Sequence, residues 1–119
     1  MLIDKKAFLF ESLLLIFVKI LRAMDIVIRH EQNLRTGVFY VNHECDRMAF
    51  LSYFENPEGI LLLNHTYVSP ELRGQNVGSK LVEAAVFFAR KNQFKIVPVC
   101  PYVVKWFEKN KDSKDVIFV

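Results

Sequence analysis

Apolar and polar residues alternate through the first half of the chain, and apolar residues recur at helical spacing through much of the second. Residues 25–29, Asp-Ile-Val-Ile-Arg, read as a short strand, and 30–33 as a polar break. Residues 34–43 alternate, with Val38, Tyr40 and Asn42 on one face and Phe39, Val41 and His43 on the other. A turn cluster at 42–46 follows. Residues 47–54 alternate again, setting Met48, Phe50, Ser52 and Phe54 against Ala49, Leu51 and Tyr53. The polar group 55–59, with Pro57 and Gly59, predicts a turn, and 60–68 the next strand. Period-two segments joined by short turns predict an antiparallel meander.

At Val77 the period lengthens. Val77, Leu81, Ala84, Ala85 and Phe88 recur at helical spacing, while Lys80, Glu83, Arg90 and Lys91 can lie outward. The helix is expected to end near Asn92. Residues 95–100 predict a buried strand, although Pro98 fits one only on an unpaired side. Pro101 suits a helix's first turn, and 102–110 continue it with Tyr102, Val103, Trp106 and Phe107 on one side. A polar loop at 109–115 and a last short strand at 116–119 complete the chain. The expected fold is α/β: a mixed sheet, meander first, covered by helices. A crossover through the long helix makes strands 60–68 and 95–100 parallel.

The chain has 119 residues, 52% of them hydrophobic and 24% charged, which suits one globular domain. Residues 1–23 stand apart. Segment 7–21 is strongly apolar but interrupted by Glu11, Ser12 and Lys19. Its unbroken run, 13–18, is short of the roughly 20 residues that cross a bilayer. Glu11 and the lack of a small-x-small cleavage step argue against a secretory leader. The segment reads as a helical extension of a domain over 24–119. It is expected to pack on the domain or on a second copy, giving a homodimer, or to be dispensable for the fold, rather than to bind a membrane.

Net charge is +3, and no Lys/Arg run is interleaved with aromatics, so nucleic acid is not the expected partner. The two cysteines, Cys45 and Cys100, fit neither a metal knuckle nor a disulfide framework, which points to a reducing, cytoplasmic setting. His43, Glu44 and Cys45 read as solvated turn residues, so no metal is expected.

The chemistry concentrates between strand and helix. The apolar run Ile60-Leu61-Leu62-Leu63 leads through residues 64–72 to the small and polar turn Arg73-Gly74-Gln75-Asn76-Val77-Gly78. Free amides at the start of the following helix and its positive dipole end converge there, forming an anion site.

That turn resembles the acyl-CoA pyrophosphate loop of the GNAT N-acetyltransferase superfamily, Gln/Arg-x-x-Gly-x-Gly/Ala. Arg73 and Gly78 match its ends. Asn76 stands at the usual glycine, and asparagine is the residue after glycine that best accepts a positive φ. Two runs, His65-Thr66-Tyr67-Val68-Ser69-Pro70-Glu71-Leu72-Arg73-Gly74 and Val97-Pro98-Val99-Cys100-Pro101-Tyr102-Val103, resemble a group of short, stand-alone members. The similarity covers 24–110.

The resemblance implies an acetyl-CoA-dependent N-acetyltransferase acting on a small-molecule or protein amine. It implies a sheet splayed between strands 60–68 and 95–100. Thr66 and Val68 would line the pantetheine path. Arg73, Gly74, Gln75, Asn76, Val77, Gly78 and Ser79 would hold the pyrophosphate.

Acyl transfer needs a deprotonated amine and a proton for the leaving thiolate. Tyr102 can supply that proton, or be a half-buried residue at a helix start. His65 can take the amine proton, or be a histidine hydrogen-bonded across the sheet. Period two sets Asn64 and Thr66 opposite His65 and Tyr67 unless a bulge intervenes. Cys100, ahead of a helix N-terminus, can carry the acetyl group, line its pocket, or simply pack. A CoA-binding sensor without transfer, and a phosphate binder sharing only the turn, are the competing readings. A phosphate-loop nucleotide enzyme is disfavoured because Gly-Lys-Ser/Thr is absent.

Overall fold

Five strands form one sheet in the order β1-β2-β3-β4-β5 in a computed structural model that describes residues 26–43 and 46–119. The strands are β1 (Arg29–Asn33), β2 (Thr36–His43), β3 (Asp46–Glu55), β4 (Ile60–Val68) and β5 (Lys95–Pro98). Helix α1 (Val77–Asn92) joins β4 to β5, and α2 (Pro101–Lys109) follows β5. Short 3-10 turns cover Pro70–Leu72 and Lys111–Val116. The first four strands pair antiparallel as a meander, and β4 pairs parallel with β5. This is the mixed α/β sheet that the alternation predicts. The apolar extension 1–23 and the turn residues Glu44 and Cys45 lie outside the described residues.

One face of the sheet holds the core. Phe39, Val41, Ala49, Leu51, Tyr53, Leu61, Leu63 and Ile96 meet Leu81, Val82, Ala85 and Ala89 of α1 and Val103, Trp106 and Phe107 of α2. A fully buried leucine such as Leu81 contributes about 1.5–3 kcal/mol by leaving water. The helices are also tied where they approach: Trp106 Nε1–H donates to Ser79 Oγ at 2.7 Å.

Three expectations away from the site need correction, and a fourth, at the end of β5, belongs to the site. The first strand lies not on 25–29 but on the polar 29–33, and every residue in it is exposed. As the sheet edge it needs only backbone pairing with β2, and charged side chains suit an edge. Ile26 and Ile28 instead pack against the core ahead of it. β2 begins at Thr36, because Leu34 takes a positive φ of 55° in the hairpin turn and is 91% exposed. No strand forms at 116–119. The polar loop becomes the 3-10 turn Lys111–Val116, and a single bridge joins Ile117 to Ile96. Arg90 anchors that turn through a bidentate pair to Asp115, at 3.0 and 2.6 Å.

Two features of β4 place the site. Ser52 pairs with His65 and Tyr53 with Leu63, so Asn64 has no opposite residue and forms a bulge. The bulge resets the alternation. Leu61 and Leu63 face the helices before it, and Thr66 and Val68 do so after it, opposite the core residues Leu51 and Ala49. His65 and Tyr67 therefore face the other way. The second feature is the end of β5. Its last pairing is Leu63 with Pro98, and the Val99 and Cys100 amides then both donate to the Leu63 carbonyl, at 3.1 and 3.0 Å. The expected strand to residue 100 thus stops at Pro98, where a missing N–H and the turn into α2 end the ladder. β4 runs on to Val68 without a partner on that side, and the sheet splays.

A candidate cofactor cleft at the splayed strands

The cleft is built at the end of β4. Ser69 caps the 3-10 turn of Pro70–Leu72, Gly74 takes φ 82°, and Asn76 takes φ 61°, ψ 27°. The left-handed Asn76 is the N-cap of α1. Its side chain makes no capping hydrogen bond. The first helical bond runs from the Lys80 amide to the Asn76 carbonyl at 3.1 Å. The amides of Val77, Gly78 and Ser79 precede it and have no helical carbonyl to pair with. They form the donor set of an anion site, reinforced by the helix dipole.

These residues open on a cavity of about 400 Å³ lined by Thr66, Tyr67, Val68, Leu72, Arg73, Gly74, Asn76, Val77, Gly78 and Tyr102. Eight of the sequence candidates are thus brought together: Thr66, Val68, Arg73, Gly74, Asn76, Val77, Gly78 and Tyr102. Arg73 is exposed, and its Nε–H donates to the Val68 carbonyl at 3.4 Å, steering the guanidinium along the end of β4. Gln75 and Ser79 do not line the cavity. The Gln75 side chain reaches the Glu71 carbonyl at 3.5 Å, and Ser79 Oγ is held by Trp106.

His65 lies on the opposite face of β4, across from Ser52. Tyr67 and Leu72 were not singled out in the sequence. Leu72 is an apolar residue inside a polar loop, which is the one signal that marked it.

Cys100 is the N-cap of α2, tied to β4 through its amide on the Leu63 carbonyl. Burial pushes its thiol up, but the nearby Thr66 hydroxyl and the amides of Tyr102, Val103 and Thr66 outweigh burial. The net effect holds the thiol below its ordinary value. Tyr102 and Val103 are the second and third helical residues, whose amides an N-cap acceptor reaches. The Thr66 hydroxyl is buried with no hydrogen-bond partner. Tyr102 is 43% exposed, and burial pushes its phenol up, so it stays protonated through neutral pH. Among the described residues, no group of three His, Cys, Asp or Glu is arranged to hold a metal ion. Nor is any helix among them long and apolar enough to cross a membrane.

A search of curated proteins finds no match to the chain. Solved structures do match. The solution structure of a GCN5-like protein from Staphylococcus aureus, assigned as an N-acetyltransferase, is 33% identical over 76% of this chain and 87% of its own, with a TM-score of 0.60. A ribosomal-protein-alanine N-acetyltransferase from Brucella melitensis biovar Abortus shares the fold at 16% identity, over 74% of this chain and 65% of its own, with a TM-score of 0.50. So does a protein from Bacillus anthracis assigned as a streptothricin acetyltransferase, in complex with acetyl coenzyme A, at 16% identity over 66% of this chain and 47% of its own, with a TM-score of 0.51. The family described as GCN5-related N-acetyl-transferase matches residues 38–116. With a family match over more than half its length and the splayed sheet in place, the chain belongs to the GCN5-related N-acetyltransferase family.

Proposed function

We propose that this chain transfers an acetyl group from acetyl-CoA to an amine. One observation carries the reading. The unpaired amides after the left-handed Asn76 open on the same cavity as Thr66 and Val68, at the strand end that β5 leaves unpaired. An elongated ligand with a pyrophosphate fits that layout. The phosphates lie at the Gly74, Val77 and Gly78 amides with Arg73 beside them, and Gln75 and Ser79 complete the turn. The pantetheine arm runs along Thr66 and Val68. Family membership supports the cofactor, as does the acetyl-CoA bound to the Bacillus anthracis relative. The two runs at 65–74 and 97–103 support membership of a short, stand-alone group of the family. Its cysteine content supports a cytoplasmic setting.

In this reading the ammonium of the acceptor gives a proton to His65, and the free amine attacks the thioester carbonyl. The C–N bond forms, the C–S bond breaks, and CoA leaves as a thiolate. Tyr102 protonates that thiolate and regains its proton through water from the attacking nitrogen, which carries one proton too many until it is released as a neutral amide.

The lowered Cys100 thiol favours a second route to the same product. Its thiolate attacks the thioester, CoA leaves, and the amine then takes the acetyl group from the Cys100 sulfur.

Thermal unfolding with and without acetyl-CoA tests the cofactor, and release of free CoA thiol across a panel of amines tests transfer. Stabilisation with turnover supports the proposal. Stabilisation without turnover of any amine supports a CoA-binding sensor instead, and no stabilisation overturns the turn assignment.

A further inference from the structure

The face of the sheet turned away from the helices carries a row of aromatic rings that ends at the cleft. Tyr40, Phe50 and Tyr67 are successive cross-strand partners through β2, β3 and β4. The row is closed at one end, where Arg47 sits 4.7 Å over the Tyr40 ring and Tyr40 is 7% exposed. It is open at the other. Tyr67 packs against Phe50 with ring centroids 5.7 Å apart, is 45% exposed, stands on the unpaired edge of β4, and also lines the cavity. His65, two residues back on the same face, is exposed across from Ser52.

We propose that the acceptor is an arylalkyl primary amine that stacks its ring on Tyr67 and sets its nitrogen beside His65. This inference rests on the transferase reading. Two residues along a strand span about 6.6 Å, similar to the reach from ring to nitrogen in a two-carbon arylalkylamine. The electron-rich ring face of Tyr67 also favours a cation near it.

Charge narrows the class. Among the described residues, Phe50, Ser52 and Phe54 of β3 and Leu62 of β4, on the same face, bring no carboxylate. Glu31 on β1 is already tied to the Tyr40 hydroxyl and to Arg47, at 2.8 Å each. A single ammonium that gives up its proton to His65 suits this face. A polycation, whose remaining charges need carboxylates, does not.

The test uses the full chain with saturating acetyl-CoA and three acceptors: 2-phenylethylamine, n-hexylamine and spermidine. The expected kcat/KM for phenylethylamine exceeds that for hexylamine about tenfold, in the range a fitted ring adds over an alkyl chain. Tyr67→Leu brings that ratio close to one, and Tyr67→Phe keeps it. The acetyl-CoA stabilisation of each variant checks that it is folded. A ratio at or below one, a ratio unchanged in Tyr67→Leu, or spermidine as the best acceptor overturns the inference. Turnover of some other amine leaves the transferase reading standing while this inference fails. No turnover of any amine ends both.

Discussion

The Tyr102 hydroxyl stands over Gly78, where an added Cβ would lie 2.6 Å from the oxygen and 2.9 Å from Cζ. Glycine at this position lets the first turn of α1 and the phenol share one wall of the cavity. The phenol belongs to a half-exposed side chain, so it can swing aside at small cost to the fold. Gly78→Ala is therefore expected to leave the melting temperature unchanged or slightly raised, since alanine favours a helix by up to about 1 kcal/mol over glycine. It is expected to weaken acetyl-CoA binding about three- to tenfold, a loss of roughly 0.6–1.4 kcal/mol. Calorimetric titration beside thermal unfolding separates the two effects, and an unchanged affinity would remove the Gly78 amide from the cofactor site.

The depressed Cys100 thiol gives a second test. Thr66→Val removes the one side chain that lowers the Cys100 thiol and leaves burial, which pushes it up. The pH midpoint for iodoacetamide alkylation is expected to rise in that variant. Because the folded thiol is held low, its linkage adds stability above the unfolded pKa and is lost as pH falls through the folded value. Cys100→Ala decides between the two chemical routes. Under direct transfer kcat stays within about twofold, whereas a covalent route loses at least about a hundredfold. Mass spectrometry of the chain with acetyl-CoA alone shows whether 42 Da, about one acetyl group, is retained.

The helix at 77–92 was legible because its pattern is long and has one period, and the strand at 60–68 because an apolar run follows a turn of Pro57 and Gly59. The positive φ of Asn76 was legible for a chemical reason, since few side chains other than glycine's accept it. The first strand was not legible. RHEQN has no apolar member, and it pairs only because β2 offers an edge that needs backbone groups alone. The bulge at Asn64 was equally silent. It depends on how β3 and β4 align, a relationship between segments that no local pattern carries. That single extra residue decides whether His65 or Thr66 faces the helices, so the cavity wall could be read from the sequence only up to that ambiguity.

His30 provides a pH-dependent handle on the edge strand. Its ring stacks on Phe39 with centroids 4.2 Å apart and meets Phe88 edge-on at 4.6 Å. Its Nε2 lies 2.6 Å from the Tyr53 hydroxyl. Tyr53 fills the space that a Cβ at Gly37 would need, so the hairpin and this ring are fitted together. His30 is exposed as a residue, but partial burial of its ring against Phe39 and Phe88 lowers its pKa, so the folded chain favours the neutral ring. The stability this contributes is present above the unfolded value of about 6.5 and is lost as pH falls through the folded value. The melting temperature is expected to drop between about pH 7 and pH 5, and to drop less in His30→Phe, which keeps the stack without the charge. Burial pushes Tyr53 up to about 12, so its contribution is present below the unfolded value and lost as pH rises through about 12. An equal acid slope in both proteins would show that another group controls it.

Helix α1 begins and ends on left-handed residues, Asn76 at φ 61° and Gln93 at φ 59°. The two ends share a backbone conformation but differ in what they face. Gln93 closes the helix away from the cavity, and its amide donates back to the Arg90 carbonyl at 3.4 Å. A side chain with a Cβ strains this conformation by about 1 kcal/mol, asparagine less than most and glycine not at all. Gln93→Gly is therefore expected to stabilise the chain by about 0.5–1 kcal/mol, as at other helix C-termini of this kind. Asn76→Ala is expected to destabilise it by about 1 kcal/mol, and Asn76→Gly to change it by only a few tenths. Urea midpoints at constant slope measure all three. The functional readout then divides them. Asn76→Ala reshapes the turn that presents the Val77 and Gly78 amides, so it weakens acetyl-CoA binding beyond its effect on stability. Gln93→Gly, at the far end of the same helix, does not. If the two changed cofactor affinity alike, the turn at Asn76 would be a helix start and not an anion site.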